Sequence, residues 1–349
     1  MFRRYNKRSS NPIVTIFRLI LSLTMLGFLI LVSYSAYKHF SGLDPLSLSP
    51  ESVINSVTDY KEFPPFLENL LSSLKIKEVG EKQNTLGQFV EGLNPVSGDK
   101  GGISLNHGQR ILTFILVADS HTDNFNLERA LIQAKQSHPE AEFIIGLGDY
   151  SQVGTVDELR GAKEIFDKMG LRYFLTAGDH DLWHSRDQDL PAILNFNEVF
   201  GPEYQSFTSK AVKIIIIHNS DNYLGIDNEQ MDWISRQIAV GKEQNYHILV
   251  FLHEPLYHPS SDHFMGRLEP KLKDQAKSLI QLFSRYGVKK VFAGDAHYFS
   301  EYFEPETNLA MVTIGAVTAE RNPQTPRYGL VSVFEDGFSR VDDVEIRTQ

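Results

Sequence analysis

The 349-residue sequence contains no cysteine. Disulfide scaffolds, thiolate zinc sites, iron–sulfur clusters and cysteine nucleophiles are excluded together, while either redox compartment is tolerated. Basic charge is also scarce: 34 Lys and Arg stand against 44 Asp and Glu, a net charge of −10. That balance argues against nucleic acid as a partner, because phosphate backbones recruit basic faces. Internal repeats and strong low-complexity tracts are missing as well. The length is ample for a core that needs no disulfide or structural zinc, and it suits one large domain or two small ones.

The missing basic charge is unevenly distributed. Residues 1–40 carry six Lys or Arg and no acid, so the remaining chain has a net charge of −16. Leu19 to Tyr37 is free of charge over 19 residues. As a helix it spans roughly 28 Å, close to the hydrocarbon thickness of a bilayer. Extended back to Ile13 with Arg18 snorkelling, it is expected to cross a membrane over 13–37. Arg3, Arg4, Lys7 and Arg8 precede it, which assigns 1–12 to a cytoplasmic tail and sends the body to the extracytoplasmic side of a single-pass cell-membrane protein. A cleaved signal peptide is the alternative, since small residues occur around Ser33 to Ala36.

Residues 38–108 read as a stalk with short helices, broken at Pro64 and Pro65 and ending in the joint NPVSGDKGG. From about 109 to 349 the pattern changes to apolar strands alternating with amphipathic helices. ILTFILVA, EFIIGLG, RYFLTAG, VKIIIIHN, HILVFLH and KKVFAG are apolar throughout, as strands covered on both faces are. Helices are expected over 126–136, 156–169, 229–239 and 272–286. After Tyr298 the strands alternate, as in antiparallel pairing. The expected fold is an α/β four-layer α-β-β-α sandwich, with two mixed sheets inside and helices outside, preceded by the transmembrane helix.

Polar clusters follow these strands: Asp119-Ser-His121, Gly148-Asp149, Gly178-Asp179-His180-Asp181, His253-Glu-Pro and Gly294-Asp295-Ala-His297. Ligands of α/β sheets bind at the carboxyl ends of strands. A single Asp or His there is ordinarily a helix cap or a loop residue. Five clusters in succession are poorly explained by capping, and converging carboxylates and imidazoles are what a pair of metal ions requires.

In this order the clusters resemble the calcineurin-like metallophosphoesterases, whose pattern runs D-x-H, G-D, G-N-H-D/E, H and G-H-x-H. The resemblance covers about 112–300 and extends to HNSDNYLGIDNEQMDWISRQI, with Gln230 and Trp233. It implies that Asp119, His121 and His297 bind a first metal, that Asp149 bridges, and that His253 binds a second. His180 would face the substrate phosphate as acid or transition-state donor, oriented by Asp181. The resemblance also implies a metal-bridging hydroxide as nucleophile, acting on phosphomonoesters, phosphodiesters or pyrophosphate bonds of a small-molecule or lipid substrate.

Two positions depart from the pattern. Asp179 replaces the Asn, and Asp295 replaces the first His of G-H-x-H; both would serve the second metal. Four carboxylates then face two divalent ions and leave the site formally neutral. Oxygen-rich ligation moves the expectation for the two metals towards Mn or Fe, with Mg or Zn as alternatives. The rival function is a catalytically degraded relative that binds metal or a phosphorylated ligand. His184, His218, His258 and His263, with Trp183 and Tyr257, read more simply as loop or packing residues. Ser120 lacks the partners of a serine nucleophile.

Overall fold

The computed structural model describes residues 107–347. The expected anchor at 13–37 and nearly all of the stalk lie outside these residues. Among the described residues no helix is long and apolar enough to cross a membrane. Residues 107–258 and 263–347 belong to one compact unit, and Pro259–Asp262 falls outside it.

One sheet contains β1 (Arg110–Val117), β2 (Phe143–Gly146), β3 (Arg172–Leu175), β10 (Arg327–Phe334) and β11 (Ser339–Glu345), in the order β11-β10-β1-β2-β3. The other contains β4 (Gln205–Ser209), β5 (Val212–Ile216), β6 (His247–Phe251), β7 (Lys290–Ala293), β8 (Ser300–Phe303) and β9 (Ala310–Thr313), in the order β4-β5-β6-β7-β9-β8. Both are mixed: β1, β2 and β3 run parallel, as do β5, β6, β7 and β9. The antiparallel reading of the last strands is therefore corrected at β9, which pairs parallel with β7 and antiparallel with β8.

The apolar strands bury different residues on their two faces. Ile115, Val117, Ile144 and Tyr328 pack with α1 (Asn124–Ser137) and α2 (Val156–Lys168). Ile215, Val250 and Val291 pack with α5 (Asn228–Glu243) and α6 (Leu272–Tyr286). The alternate residues Leu112, Phe114, Leu116, Ile214, Ile216, Leu249 and Phe251 form a third cluster between the sheets. Period-2 side chains in doubly covered strands produce this arrangement, and the α-β-β-α layering follows. Between β3 and β4 lie a 3₁₀ turn at His180–Leu182, α3 (Trp183–Asp187) and α4 (Leu194–Phe200). None of these, nor β4, was read from the sequence. At the start of α2, Thr155 and Glu158 form a reciprocal capping box.

Candidate metal centre

The predicted ligands leave their strands within a few residues of the last apolar position, so the sheets fix their backbones. Asp119, His121, Asp149, Asp295 and His297 all adopt positive φ, between 43 and 61°. Left-handed backbone in non-glycine residues is uncommon and gathers at functional sites. It is held here by cross-strand bonds: Asp119 N donates to Gly148 O at 3.1 Å and His121 N to Asp149 O at 2.9 Å. Gly178 has to be glycine because a Cβ there would fall on the Asp149 carboxylate and backbone.

Two groups of ligand atoms result. Asp119, His121, Asp149 and His297 form one; Asp149, Asp179 and His253 form the other, with Asp149 in both. His121 Nε2 lies 3.2 Å from His297 Nε2 and 3.4 Å from Asp149 Oδ2. His253 Nε2 lies 3.6 Å from Asp149 Oδ1 and 3.5 Å from Asp179 Oδ1. The donor set fits metal ions. Asp119 Oδ2 and His253 Nε2 are buried without a hydrogen-bond partner, and the opposite nitrogen of His253 is tied to Leu147 O at 2.7 Å. His297 Nδ1 is held in the same way by Arg321 O at 3.2 Å. Metal-binding imidazoles are oriented by such bonds from the other ring nitrogen.

The electrostatics point the same way. Burial, with His180 and His297 beside it, pushes His121 down to about 2, so this ring is neutral at ordinary pH and open to a cation. Burial pushes the Asp119 and Asp149 carboxyls up. Burial also opposes charge on His253, but Asp149 and Asp179 outweigh it and raise that imidazole well above its ordinary value. The reverse balance holds Asp179 below the usual carboxylate range, His253 overcoming the effect of burial. Protons and metal thus compete for the cluster formed by His253, Asp149 and Asp179. Loading the chain with Mn²⁺ at neutral pH is expected to release protons, and affinity should rise with pH as these groups lose them. Calorimetry in buffers of differing ionisation enthalpy checks this; a heat independent of buffer would contradict it.

Two expected roles are corrected. Asp181 does not orient His180. Its carboxylate is fully buried and accepts from the backbone N–H groups of Asp149, Tyr150, Ser151 and Gly178 at 2.9–3.0 Å, and from Ser151 Oγ at 2.6 Å. His180 is instead fixed through Nδ1, 2.7 Å from Gln152 O, with its ring against Trp183 at 3.7 Å between centroids. Adjacent residues in a helical turn do not face one another, which separates the two side chains. Asp295 is buried beside the site but lies outside both ligand groups. Its Oδ1 faces His263 Nδ1 at 3.2 Å, and its backbone N–H donates to Asp119 Oδ1 at 3.2 Å.

Further polar residues support the site, of which Asn219 and Asn222 escaped the sequence reading. Asn219 Oδ1 accepts from the N–H groups of His253 and Glu254 at 3.1 Å each, placing the loop after β6. Asn222 Nδ2 donates to Asp179 Oδ2 at 3.0 Å. Gln230 brackets the backbone of His218, and His218 itself is buried and pushed down to about 4 by burial, a packing residue. Glu254 is a further buried carboxyl; burial and the nearby Asp295 push it well up.

Residues 112–299 match the model of the calcineurin-like phosphoesterase family. The chain belongs to this family. Among relatives of this calcineurin-like phosphoesterase is the serine/threonine-protein phosphatase CPPED1 of Homo sapiens, 24% identical over 221 residues, covering 59% of this chain and 69% of that protein. The Danio rerio protein of the same name is 25% identical over 237 residues, covering 63% and 74%. A dimetal phosphatase from Danio rerio shares the fold, with a TM-score of 0.53 over 68% of this chain and 98% of that one at 12% identity. The calcineurin-like phosphoesterase fold accounts for the ligand clusters at the strand ends.

Proposed function

We propose that the chain is a membrane-anchored phosphoesterase that works with two divalent metal ions, the ligands being Asp119, His121, Asp149 and His297 for one and Asp149, Asp179 and His253 for the other. The observation that carries this reading is the sharing of Asp149 by two groups whose ligand atoms include buried, partnerless ones. Bound ions would supply an activated water and offset phosphate charge. The chain's own residues hold and orient them. Asp295 stands behind the second group with His263 and adds negative charge without joining the ligand atoms. His180, tied at Nδ1, turns its Nε2 edge toward the place where the substrate would stand. Oxygen-rich ligation favours Mn or Fe over Zn.

Substrates are phosphomonoesters, phosphodiesters or pyrophosphates of small molecules or lipids; the name of the human relative adds phosphoserine and phosphothreonine proteins to the panel. Hydrolysis of that panel by the full chain, with Mn, Fe, Zn or Mg supplied, tests the reading. Metal-dependent turnover supports it. A metal- or phospho-ligand-binding module is favoured by one observation, the four carboxylates that neutralise two divalent ions. Metal binding without turnover on every substrate would select it.

The anchor is proposed for 13–37 on the uncharged run and the basic residues before it, with the domain on the extracytoplasmic side. The chain should then stay in membranes after carbonate extraction and keep its N-terminus; a soluble mature form beginning near residue 37 would point to a cleaved signal.

A further inference from the structure

The segment between β9 and β10 supplies none of the expected ligands, yet it is fastened to them. Val317 N donates to Ala118 O at 3.0 Å and Thr318 N to Asp119 O at 3.2 Å. Asn322 Nδ2 donates to Ala316 O and Thr318 O at 3.0 and 2.9 Å, closing the segment on itself. Between these bonds lies Arg321, whose carbonyl accepts from His297. Its φ is +56°, the same left-handed region that five of the expected ligands occupy. An arginine adopts that backbone rarely, and only where its surroundings enforce it.

The guanidinium reaches the site. Nη1 lies 3.4 Å from His180 Nε2, and the His180 ring meets the His121 ring edge-on at 4.6 Å between centroids. Chemistry fixes the direction of the contact. Gln152 O only accepts, so His180 Nδ1 carries the hydrogen and Nε2 of the neutral ring accepts. A guanidinium only donates, so Arg321 gives a hydrogen to Nε2. His180 is buried, whereas the Arg321 side chain is 53% exposed. The arginine therefore spans solvent and the buried ligands. Its contact with Glu320, 4.0 Å from Nε, is an exposed pair that neutralises little.

We propose that Arg321 is the cationic donor for the phosphate group of the substrate, and that His180 positions it; the inference rests on the phosphoesterase reading. Two divalent ions, when bound, would be balanced by the carboxylates of Asp119, Asp149, Asp179 and Asp295, so the ions alone would draw a phosphate weakly. Arg321 returns a positive charge to the entrance. With one N–H given to His180, the other donors of its planar fork are available to phosphate oxygens in the bidentate manner that favours arginine over lysine. The dianion of a phosphomonoester gains more from this charge than the monoanion of a diester.

The test measures binding of inorganic phosphate to the Mn²⁺-loaded full chain by calorimetry, beside metal content and hydrolysis. Arg321→Gln should weaken phosphate binding about ten- to a hundredfold with metal content unchanged. It should raise KM for a monoester more than for a diester. Arg321→Lys should recover part of the loss, and Arg160→Gln, which removes a charge on α2, should match the parent. Equal phosphate affinity in Arg321→Gln and the parent would overturn the inference. So would metal loss in both Arg321 variants, which would make the residue a support for His297, and so would a parent that binds no phosphate. A parent that binds phosphate through Arg321 but hydrolyses nothing would overturn the phosphoesterase reading and leave this inference standing.

Discussion

Asp149→Asn is expected to empty both metal positions and abolish turnover, while the fold survives. Asn tolerates the left-handed backbone that Asp149 adopts at φ +56°, so the substitution keeps the local conformation. It also keeps an oxygen for His180 N, which donates to Asp149 Oδ1 at 3.0 Å. What it removes is a negative charge common to both ligand groups. At an effective dielectric of about 20, a unit charge about 4 Å from a divalent cation is worth about 8 kcal/mol before solvation offsets part of it, so each ion should bind at least roughly 10³-fold more weakly. Asp119→Asn removes a charge from one group alone and should leave an ion on Asp149, Asp179 and His253. Metal analysis of the two variants separates the cases. Two ions retained in Asp149→Asn would refute the shared carboxylate.

The second large effect concerns stability. Asp181→Ala is expected to lower stability by at least about 3 kcal/mol, because it strands four backbone N–H groups and a hydroxyl in a buried position. For a domain of this size that corresponds to a fall of about 6–12 °C in Tm. Four of the stranded donors belong to Asp149, Tyr150 and Ser151, so metal affinity should fall with stability. Asp181→Asn should show much of the same loss, since its amide N–H₂ would face donors. Had Asp181 served to orient His180, the Asn variant would keep its Tm and metal content and lose only kcat. Thermal melting with metal analysis decides between the two.

The contrast between Asp181 and the expected ligands shows what was legible in the sequence. β1, β2, β5, β6 and β7 were readable because strands buried on both faces leave unbroken apolar runs. The positions of Asp119, His121, Asp149, His253 and His297 are legible as candidates because each follows such a run, and that of Asp179 because it follows the shorter, half-buried run of β3. The role of Asp181 was not, because adjacency to His180 in sequence says nothing about which way a side chain points from a single turn. β4 is a short edge strand, QSFTS, with no fully buried residue and hence no apolar signature. β9 looked antiparallel from its alternation, but its pairing depends on where the chain re-enters the sheet. Asn219, Asn222, Gln152 and Arg321 are single polar residues in loops. Nothing in their spacing marks them; only the fold brings them to the ligands.

The central claim is that this calcineurin-like phosphoesterase is a two-metal hydrolase, and the most direct measurement is metal stoichiometry against turnover in the purified full chain. After chelation, Mn²⁺ is returned in steps, and bound metal and hydrolysis of a phosphoester panel are followed together. Two ions per chain, with turnover that appears only as the second is bound and vanishes again on chelation, is the result predicted. Turnover that persists in the chelated, metal-free chain would contradict the account, and so would a chain that binds one ion at saturation.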